Sequence, residues 1–208
     1  MASAVGLVAM VLSFSIATAD PCAPETVGVD TSQWRRLFIA AVLGRAVGET
    51  FTTSDTLIRS MTVWRWPGED STVVRMKLWV TGAYEDGFPN LYDIILSGSG
   101  LVVFGDGVHP VKIQYAFDPP LALPRPGKYA FFIQPECAFL YFDLLRVDTD
   151  DYRGGRALIT GRSLSCSLGP AGYSEFPEDD LVFDIEFCRT DVTPVRRRTW
   201  GGLKAIYR

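Results

Sequence analysis

Histidine is almost absent from this sequence, so carboxylates are the residues best suited to chemistry. His109 is the single histidine, and it lies in a turn between Val108 and Pro110. A serine or cysteine nucleophile needs a base oriented beside it, and that base is most often histidine. The chain also has no G-x-S-x-G, H-E-x-x-H or P-loop motif. We therefore expect no hydrolase of these classes and an exposed or capping role for His109.

One pair of carboxylates has the spacing for glycoside hydrolysis. Asp184 and Glu186 are two residues apart on a predicted strand, which places both on one face. Two carboxyl groups about 5 to 10 Å apart can cleave glycosidic bonds. A solvated outer sheet face explains the pair equally well, and the sequence gives no sign of a cleft. We predict that the protein is not an enzyme.

An acidic run, Asp148-Thr149-Asp150-Asp151, is the one place where the sequence suggests a metal ion. Clustered carboxylates suit calcium, which takes six to eight oxygen ligands in irregular geometry. The run lacks the fixed glycine and final glutamate of an EF-hand. It is either a calcium site built from Asp148, Asp150 and Asp151 or ordinary polar turn chemistry, and we expect no other cofactor.

Aromatic residues suggest ligand binding. In the predicted strand 73–81, Trp79 alternates with apolar residues and shares a face with Arg75, while Trp64 and Trp66 share the more polar face of the preceding strand. Exposed aromatic rings form platforms for sugar rings, and neighbouring charged groups bind the hydroxyls. We therefore predict Trp64, Trp66, Trp79 and Arg75 as ligand-binding residues. The alternative is that other segments bury these rings.

The cysteines point to an exported protein. There are four, Cys22, Cys137, Cys166 and Cys188, and an even number in an exported chain favours disulfides. Pairing Cys22 with Cys188 would join the ends of the β-rich region, and Cys137 with Cys166 would flank a strand and a loop. Zinc is the alternative, but there is no C-x-x-C spacing and only one histidine.

The first residues have the pattern of a secretory signal. An apolar run, Val5 to Ile16, precedes Ala17-Thr18-Ala19, which fits a small-x-small cleavage site. The alternatives are a membrane anchor or a buried strand, although the run is shorter than the ~20 residues of a spanning helix. We predict a signal peptide over 1–19 and a secreted or cell-surface protein with no membrane span in the mature chain.

Composition and turn spacing predict an all-β fold. The chain has 208 residues, 48% hydrophobic and 12% aromatic, which suits a single packed domain. A net charge of −4 makes nucleic acid an unsuitable partner. Short runs rich in β-branched and aromatic residues, separated by Gly, Pro and Asp clusters, indicate an antiparallel β-sandwich of about ten strands. The predicted strands are Glu49–Thr53, Leu57–Trp66, Val73–Thr81, Leu91–Ser97, Leu101–Phe104, Val111–Phe117, Lys128–Gln134, Phe139–Val147, Arg156–Thr160 and Leu181–Cys188.

We predict four parts along the chain. The signal peptide is followed by an N-terminal segment over 20–47, whose residues 33–47 suit either a helix or an edge strand. The β-sandwich spans 48–188. A tail over 189–208 contains Arg196-Arg197-Arg198 and lies beyond the last cysteine.

Several motifs resemble bacterial secreted jelly-roll modules similar to carbohydrate-binding β-sandwiches. These modules begin with G-Q-x-F and end with D-L-x-F; here Gly48-Glu49-Thr50-Phe51 and Asp180-Leu181-Val182-Phe183 stand at those places, with Gly127-Lys128-Tyr129 and Tyr152-Arg153-Gly154-Gly155 between. Glu49 replaces the usual glutamine. The ending, Thr199-Trp200-Gly201 to Tyr207-Arg208, resembles a short C-terminal signature of exported proteins, which implies a sorting or attachment tag.

These observations lead to two hypotheses about function. The first is a secreted, non-catalytic binding module for a carbohydrate or another cell-surface polymer. The second is a structural or interaction protein of the cell surface or an extracellular assembly, joining protein partners through a sheet edge or its tail.

Overall fold

The protein is an antiparallel β-sandwich, as the sequence predicts. The computed structural model describes residues 24–33, 37–41, 45–67, 74–97, 101–103, 106–135, 142–161, 173–176 and 179–188. Within these ranges the regular structure is strand, apart from one turn of 3₁₀ helix at Thr31–Gln33. The strands are β1 (Pro24–Gly28), β2 (Leu37–Ala41), β3 (Val47–Thr53), β4 (Leu57–Arg65), β5 (Val74–Ala83), β6 (Pro89–Ser97), β7 (Leu101–Val103), β8 (Val111–Ala122), β9 (Gly127–Pro135), β10 (Phe142–Val147), β11 (Ala157–Thr160), β12 (Tyr173–Phe176), β13 (Asp180–Leu181) and β14 (Phe183–Cys188).

The strands form two sheets of seven, called sheet A and sheet B. Sheet A has the order β1-β14-β4-β10-β13, with β8 on the other side of β4 and β2 paired to β10. Sheet B has the order β12-β11-β3-β9-β5-β6, and β7 continues the β6 edge beside β5. Every recorded pairing is antiparallel. Consecutive strands often change sheet, so each sheet contains strands from distant parts of the chain.

Strand alternation determines the core between the sheets. Leu181, Phe183, Ile185 and Phe187 are almost fully buried, as their period of two predicts. On β8, Ile113 is in the main core, with Tyr115 and Phe117 packed against it. Aromatic contacts add to this packing: the rings of Phe131 and Phe183 lie 5.4 Å apart across the two sheets. Burying one such side chain stabilises a fold by about 1.5 to 3 kcal/mol.

The N-terminal segment belongs to the sandwich, which therefore begins before the predicted boundary at 48. β1 pairs with β14, placing Pro24 opposite Cys188, and β2 pairs with β10. The edge-strand alternative for residues 33–47 is correct at Leu37–Ala41, and the helical alternative is wrong there.

Several other strand boundaries differ from the prediction, most clearly at β8 and in the predicted final strand. β8 continues through Pro119-Pro120, where the sequence suggests a turn, and the Asp118–Pro119 peptide is cis. Proline is tolerated there because β8 is an edge strand and does not need every N–H for pairing. The predicted final strand is divided at Val182 into β13, which pairs with β10, and β14, which pairs with β4.

Several sequence predictions concern residues outside the described ranges. These are the signal peptide over 1–19, the tail over 189–208, and Cys22, Cys137 and Cys166. Cys188 is buried at the end of β14. The part of the chain that the structure describes contains no helix with the length and hydropathy to cross a bilayer.

Candidate functional site

A large bulge interrupts the pairing of edge strand β6 with β5. Ala83 pairs with Pro89 and Thr81 pairs with Ile94. Between these pairs β5 has one residue, Gly82, whereas β6 has the four residues 90–93. Bulges bend an edge strand and redirect its side chains. Here the bulge projects Tyr92, which is 83% exposed.

The bulge also brings the Asp93 carboxylate over Gly82. A Cβ added at Gly82 would overlap Asp93 Oδ2, and Asp93 Cγ would lie 3.2 Å from it. A glycine at this position therefore makes room for a charged side chain folded back against the sheet. The arrangement places an acidic group at the wall of a cleft.

The edge cleft is a cavity of about 370 Å³ between the β5–β6 turn and the β8–β9 turn. Lys128 Nζ donates to the Glu85 carbonyl at 2.9 Å, which links the two turns. Tyr129 Oη binds the main chain of Arg125, accepting from its N–H and donating to its carbonyl. The cleft is lined by Gly82, Ala83, Tyr84, Glu85, Asp93, Pro124, Arg125, Pro126, Gly127, Lys128 and Tyr129. It thus combines an aromatic ring that is 52% exposed, that of Tyr84, with both signs of charge.

A second polar group, which we call the acidic cluster, consists of Glu49, Asp150, Asp151 and Asp180. Glu49 on β3 is 0% exposed, and its Oε2 accepts from Leu181 N at 3.0 Å. Asp180 is 1% exposed, and its Oδ2 accepts from Tyr152 N at 2.6 Å. The cluster therefore joins β3, β13 and the β10–β11 loop over residues 148–156.

The β10–β11 loop is attached along β3 by hydrogen bonds. Thr52 N donates to Tyr152 Oη at 2.9 Å, and Tyr152 Oη donates to the Thr52 carbonyl at 3.3 Å. The Tyr152 ring meets Phe183 edge-on at 5.4 Å. Gly155 approaches so closely that a Cβ there would overlap the Thr50 carbonyl oxygen and lie 2.9 Å from Glu49 Oε1. These contacts require glycine at 155.

Burial sets the electrostatics of the acidic cluster. It raises the pKa of Glu49 well above its ordinary value of 4.5, and the charge of Asp180 raises that pKa further. Burial also raises the pKa of Asp180 to about 6, with Asp150 and Asp151 adding to the effect and main-chain hydrogen bonds opposing it. Burial therefore favours the protonated form of both carboxyl groups.

The predicted tryptophan platform is not a single surface. Trp64 lies on β4 of sheet A, and Trp66 directly follows the end of that strand. Both side chains are half-buried against the main core. Trp79 belongs to β5 of sheet B. It faces away from the main core, as its alternation predicts, but its predicted exposure is wrong. Trp79 is only 8% exposed, in a second cluster with Ala46, Ala130, Phe132 and Leu158. The structure describes the main chain of Arg75, which pairs with Val102 on β7, but not its side chain.

The predicted calcium residues lie in the exposed part of the β10–β11 loop. Asp148, Asp150 and Asp151 are all exposed. Among the described residues, no group of three or more His, Cys, Asp or Glu side chains is arranged to hold a metal ion. Glu49 beneath the loop was missed as a site candidate, although Glu49 and Asp180 both stand in motifs that carry the jelly-roll resemblance.

The remaining chemical candidates lie outside the edge cleft. His109 is exposed, as predicted, and its Nδ1 lies 2.7 Å from Asp106 Oδ2. Asp184 and Glu186 share the outer face of sheet A, where Glu186 Oε2 accepts from Ser60 Oγ at 3.0 Å. None of these residues lines the cleft in sheet B.

Comparison with known proteins gives a likeness in fold. No protein-family model matches the chain, and no curated protein matches it significantly. Among solved structures, the clostridial cysteine protease Cwp84 after propeptide cleavage superposes with a TM-score of 0.50 at 13% sequence identity. The match covers 80% of this chain and 40% of that chain, so this chain spans less than half of the protease structure. At this identity the likeness concerns architecture alone.

Proposed function

We propose that this chain is an exported, non-catalytic binding module that takes a carbohydrate in the edge cleft. The observation that carries the proposal is the combination of Tyr84, Asp93 and Lys128 around one open cavity of about 370 Å³. Ligand sites of proteins are concave, of about 300 to 1,000 Å³, with a few convergent polar groups. The cleft has that size and that composition.

The chemistry of the lining suits a sugar ring. The exposed face of Tyr84 can stack on the C–H face of a pyranose, because aromatic rings present an apolar surface. The Asp93 carboxylate accepts hydrogen bonds from sugar hydroxyls, and the Lys128 and Arg125 side chains can donate to ring and hydroxyl oxygens. Tyr92 extends the same edge and could contact a further residue of a longer chain.

We assign no reaction to the site. Asp184 and Glu186, the pair with spacing for glycoside hydrolysis, are on the outer face of sheet A and do not line the cleft. The charged groups in the cleft are of both signs, and all of them are exposed.

Glycan binding tests this proposal directly. The mature chain should bind members of a glycan array, and Tyr84→Ala and Asp93→Asn should each weaken the best response at least tenfold. Val108→Ala is the matched control, because Val108 is a large exposed residue outside the cleft. An absence of binding across plant, microbial and host glycans would refute the carbohydrate proposal, as would equal binding by all three variants.

A second candidate function is assembly with a protein partner through the β6 edge. Three of the large hydrophobic side chains exposed in the described structure, Tyr84, Tyr92 and Ile94, lie on or beside β6. An edge strand with exposed apolar residues is a template for strand addition. Tyr92→Lys should then abolish self-association or partner capture measured by light scattering, whereas under the carbohydrate proposal the protein stays monomeric.

Export and disulfide formation belong to the same proposal. The β1–β14 register supports a Cys22–Cys188 bridge, because Cys22 precedes Pro24 by two residues and Pro24 lies opposite Cys188. Peptide mapping without reduction should recover that pair, and recovery of Cys188 with another cysteine would refute it. For the tail, deletion of residues 194–208 should change the cellular location of the protein if the tail is a sorting tag.

A further inference from the structure

The edge cleft has charged side chains of opposite sign on its two sides. Glu85 and Asp93 line it from the β5–β6 turn and from β6, whereas Arg125 and Lys128 line it from the β8–β9 turn and the start of β9. All four residues are exposed. The cavity therefore lies between two negative groups and two positive groups, and a ligand bound in it meets both signs of charge.

These opposite charges do not neutralise each other. Among the residues that the structure describes, Glu85, Asp93, Arg125 and Lys128 form no ion pair. Lys128 Nζ donates instead to the main-chain carbonyl of Glu85 at 2.9 Å, which holds its charge beside the cleft. Charged groups that line one cavity without pairing remain available to a ligand that brings the complementary charges.

The main chain that carries the Arg125 charge is held in place. Arg125 lies between Pro124 and Pro126, and proline fixes its own φ and restricts the residue before it. Tyr129 Oη accepts from Arg125 N at 3.3 Å and donates to the Arg125 carbonyl. Across the cleft, the Asp93 carboxylate is folded back against the sheet. Less main-chain freedom is lost on binding when charged groups extend from fixed positions.

We infer that the edge cleft takes a zwitterionic carbohydrate, whose sugar carries both a free amino group and a carboxylate. This inference rests on the proposed carbohydrate function and specifies the class of ligand. Asp93 binds the ammonium group, and Arg125 binds the carboxylate, which matches the planar fork of a guanidinium. The exposed ring of Tyr84 packs against the apolar face of the sugar.

The arrangement of charges also disfavours other sugars. A sugar with a single charge is attracted to one side of the cleft and repelled by the other, because like charges brought together cost free energy. A neutral sugar gains only hydrogen bonds between neutral and charged groups and leaves both fixed charges without an opposite charge. The cleft therefore selects a ligand that carries both charges.

Four related sugars separate the contributions of the two charges. Muramic acid has an ammonium group and a carboxylate, N-acetylmuramic acid has only the carboxylate, glucosamine has only the ammonium group, and N-acetylglucosamine has neither. Each is titrated into the whole chain by calorimetry at a slightly acidic pH, which keeps the free amino groups protonated. Muramic acid should bind about tenfold more tightly than either singly charged sugar, because each lost charge removes a charge-assisted hydrogen bond.

Two substitutions assign the charges to the two sides of the cleft. Arg125→Gln should remove the preference for muramic acid over glucosamine, which lacks the carboxylate. Asp93→Asn should remove the preference over N-acetylmuramic acid, which lacks the ammonium group, and each variant should keep the other preference. Lys112→Gln is the control and should keep both, because Lys112 is an exposed cation on sheet A outside the cleft.

The outcomes separate this inference from the carbohydrate proposal itself. Muramic acid that binds no more tightly than the singly charged sugars overturns the inference, as do preferences that survive in both cleft variants. If neutral glycans on the array bind in the cleft and muramic acid has no advantage, the inference fails and the carbohydrate function stands. If none of the four sugars and no glycan on the array binds, both are refuted.

Discussion

The acidic cluster and the edge cleft use charged residues in opposite ways. In the acidic cluster, Glu49 and Asp180 are almost fully buried and bind main-chain N–H groups of distant segments. In the edge cleft, Asp93 and Lys128 stand at the rim of an open cavity beside exposed tyrosines. The first arrangement joins strands of both sheets, and the second leaves its polar groups accessible to a ligand.

The contrast shows that sequence motifs and ligand surfaces need not coincide. The jelly-roll motifs at Glu49, at Tyr152 and at Asp180 meet in the interior, where they hold the β10–β11 loop against the sandwich. The cleft is made by a bulge and a glycine, features that vary with the detailed strand register. In this protein these motif residues join β3, β13 and the β10–β11 loop, whereas the proposed specificity resides in the β6 edge.

The two glycines that serve these regions should respond very differently to alanine. Gly155→Ala places a methyl group against the Thr50 carbonyl, a main-chain atom that cannot move alone, and should cost about 3 kcal/mol of unfolding free energy. Gly82→Ala meets only the end of the Asp93 side chain, which can rotate away, and should cost less than about 1 kcal/mol. Urea unfolding of both variants measures the difference. Equal losses would show that the two regions are equally rigid.

Stability should fall as pH rises through the titration range of the buried carboxyl groups Glu49 and Asp180. The folded-state pKa values of Glu49 and Asp180 are raised above their ordinary values of 4.5 and 3.8, to about 6 for Asp180. Folding therefore favours the protonated forms. Their contribution is fully present below the unfolded-state pKa values, and that of Asp180 is lost as pH rises through about 6. Arg156 partly opposes this change at Glu49, and Asp150 and Asp151 reinforce it at Asp180. Urea unfolding at several pH values measures the effect.

The variants Glu49→Gln and Asp180→Asn are the controls for this pH dependence. Each replaces an ionisable group with a neutral one of the same shape, so the fall in stability between pH 4.5 and 7.5 should become smaller. Asp93→Asn, at an exposed carboxylate of the edge cleft, provides the comparison. A fall of unchanged size in both buried variants would place the titrating groups elsewhere.

The hydroxyl of Tyr152 should contribute measurably to stability, whereas that of Tyr84 should not. Tyr152→Phe leaves Thr52 N without its partner and should cost about 1 kcal/mol. Tyr84→Phe lies in the open cleft, where water replaces the lost contacts, and should remain within about 0.5 kcal/mol. Thermal unfolding with both variants checks the ranking. A larger loss for Tyr84→Phe would assign the cleft a structural role.

Gly82→Ala should have a small effect on stability and a measurable effect on binding. The added methyl displaces the Asp93 carboxylate from the cleft wall, so a glycan that binds the unmodified chain should bind about threefold to tenfold more weakly. Retained affinity would mean that Asp93 does not face the ligand. Calorimetry with the best glycan from the array gives the measurement.

Local sequence patterns predicted the class of fold and much of the core, because alternation acts over neighbouring residues. The inward residues of β14 and the exposure of His109 follow from such patterns. β8 was predicted too short, since the tolerance of Pro119 and Pro120 depends on the strand being at an edge, which only the sheet order reveals. The placement of Trp79 shows the same limit: its face was predictable, but the second cluster that buries it was not.

The candidate sites required long-range information. Glu49 and Leu181 are hydrogen-bonded at a separation of 132 residues, and no local spacing indicates that contact. The acidic loop was visible in the sequence, but the buried carboxylates below it were not. The edge cleft depends on a register shift at Gly82, which has no sequence signal beyond the glycine itself.

The pairing of β1 with β14 has a mechanical consequence. Pro24 and Cys188 are paired at one end of the antiparallel strands β1 and β14. β1 begins there and β14 ends there. Tension applied between Pro24 and Cys188 would pull β1 away from β14 starting at one end of the pair. Their hydrogen bonds would then break one after another and not all at once. A covalent link between the ends at this point would carry the load and spare the rest of the sandwich.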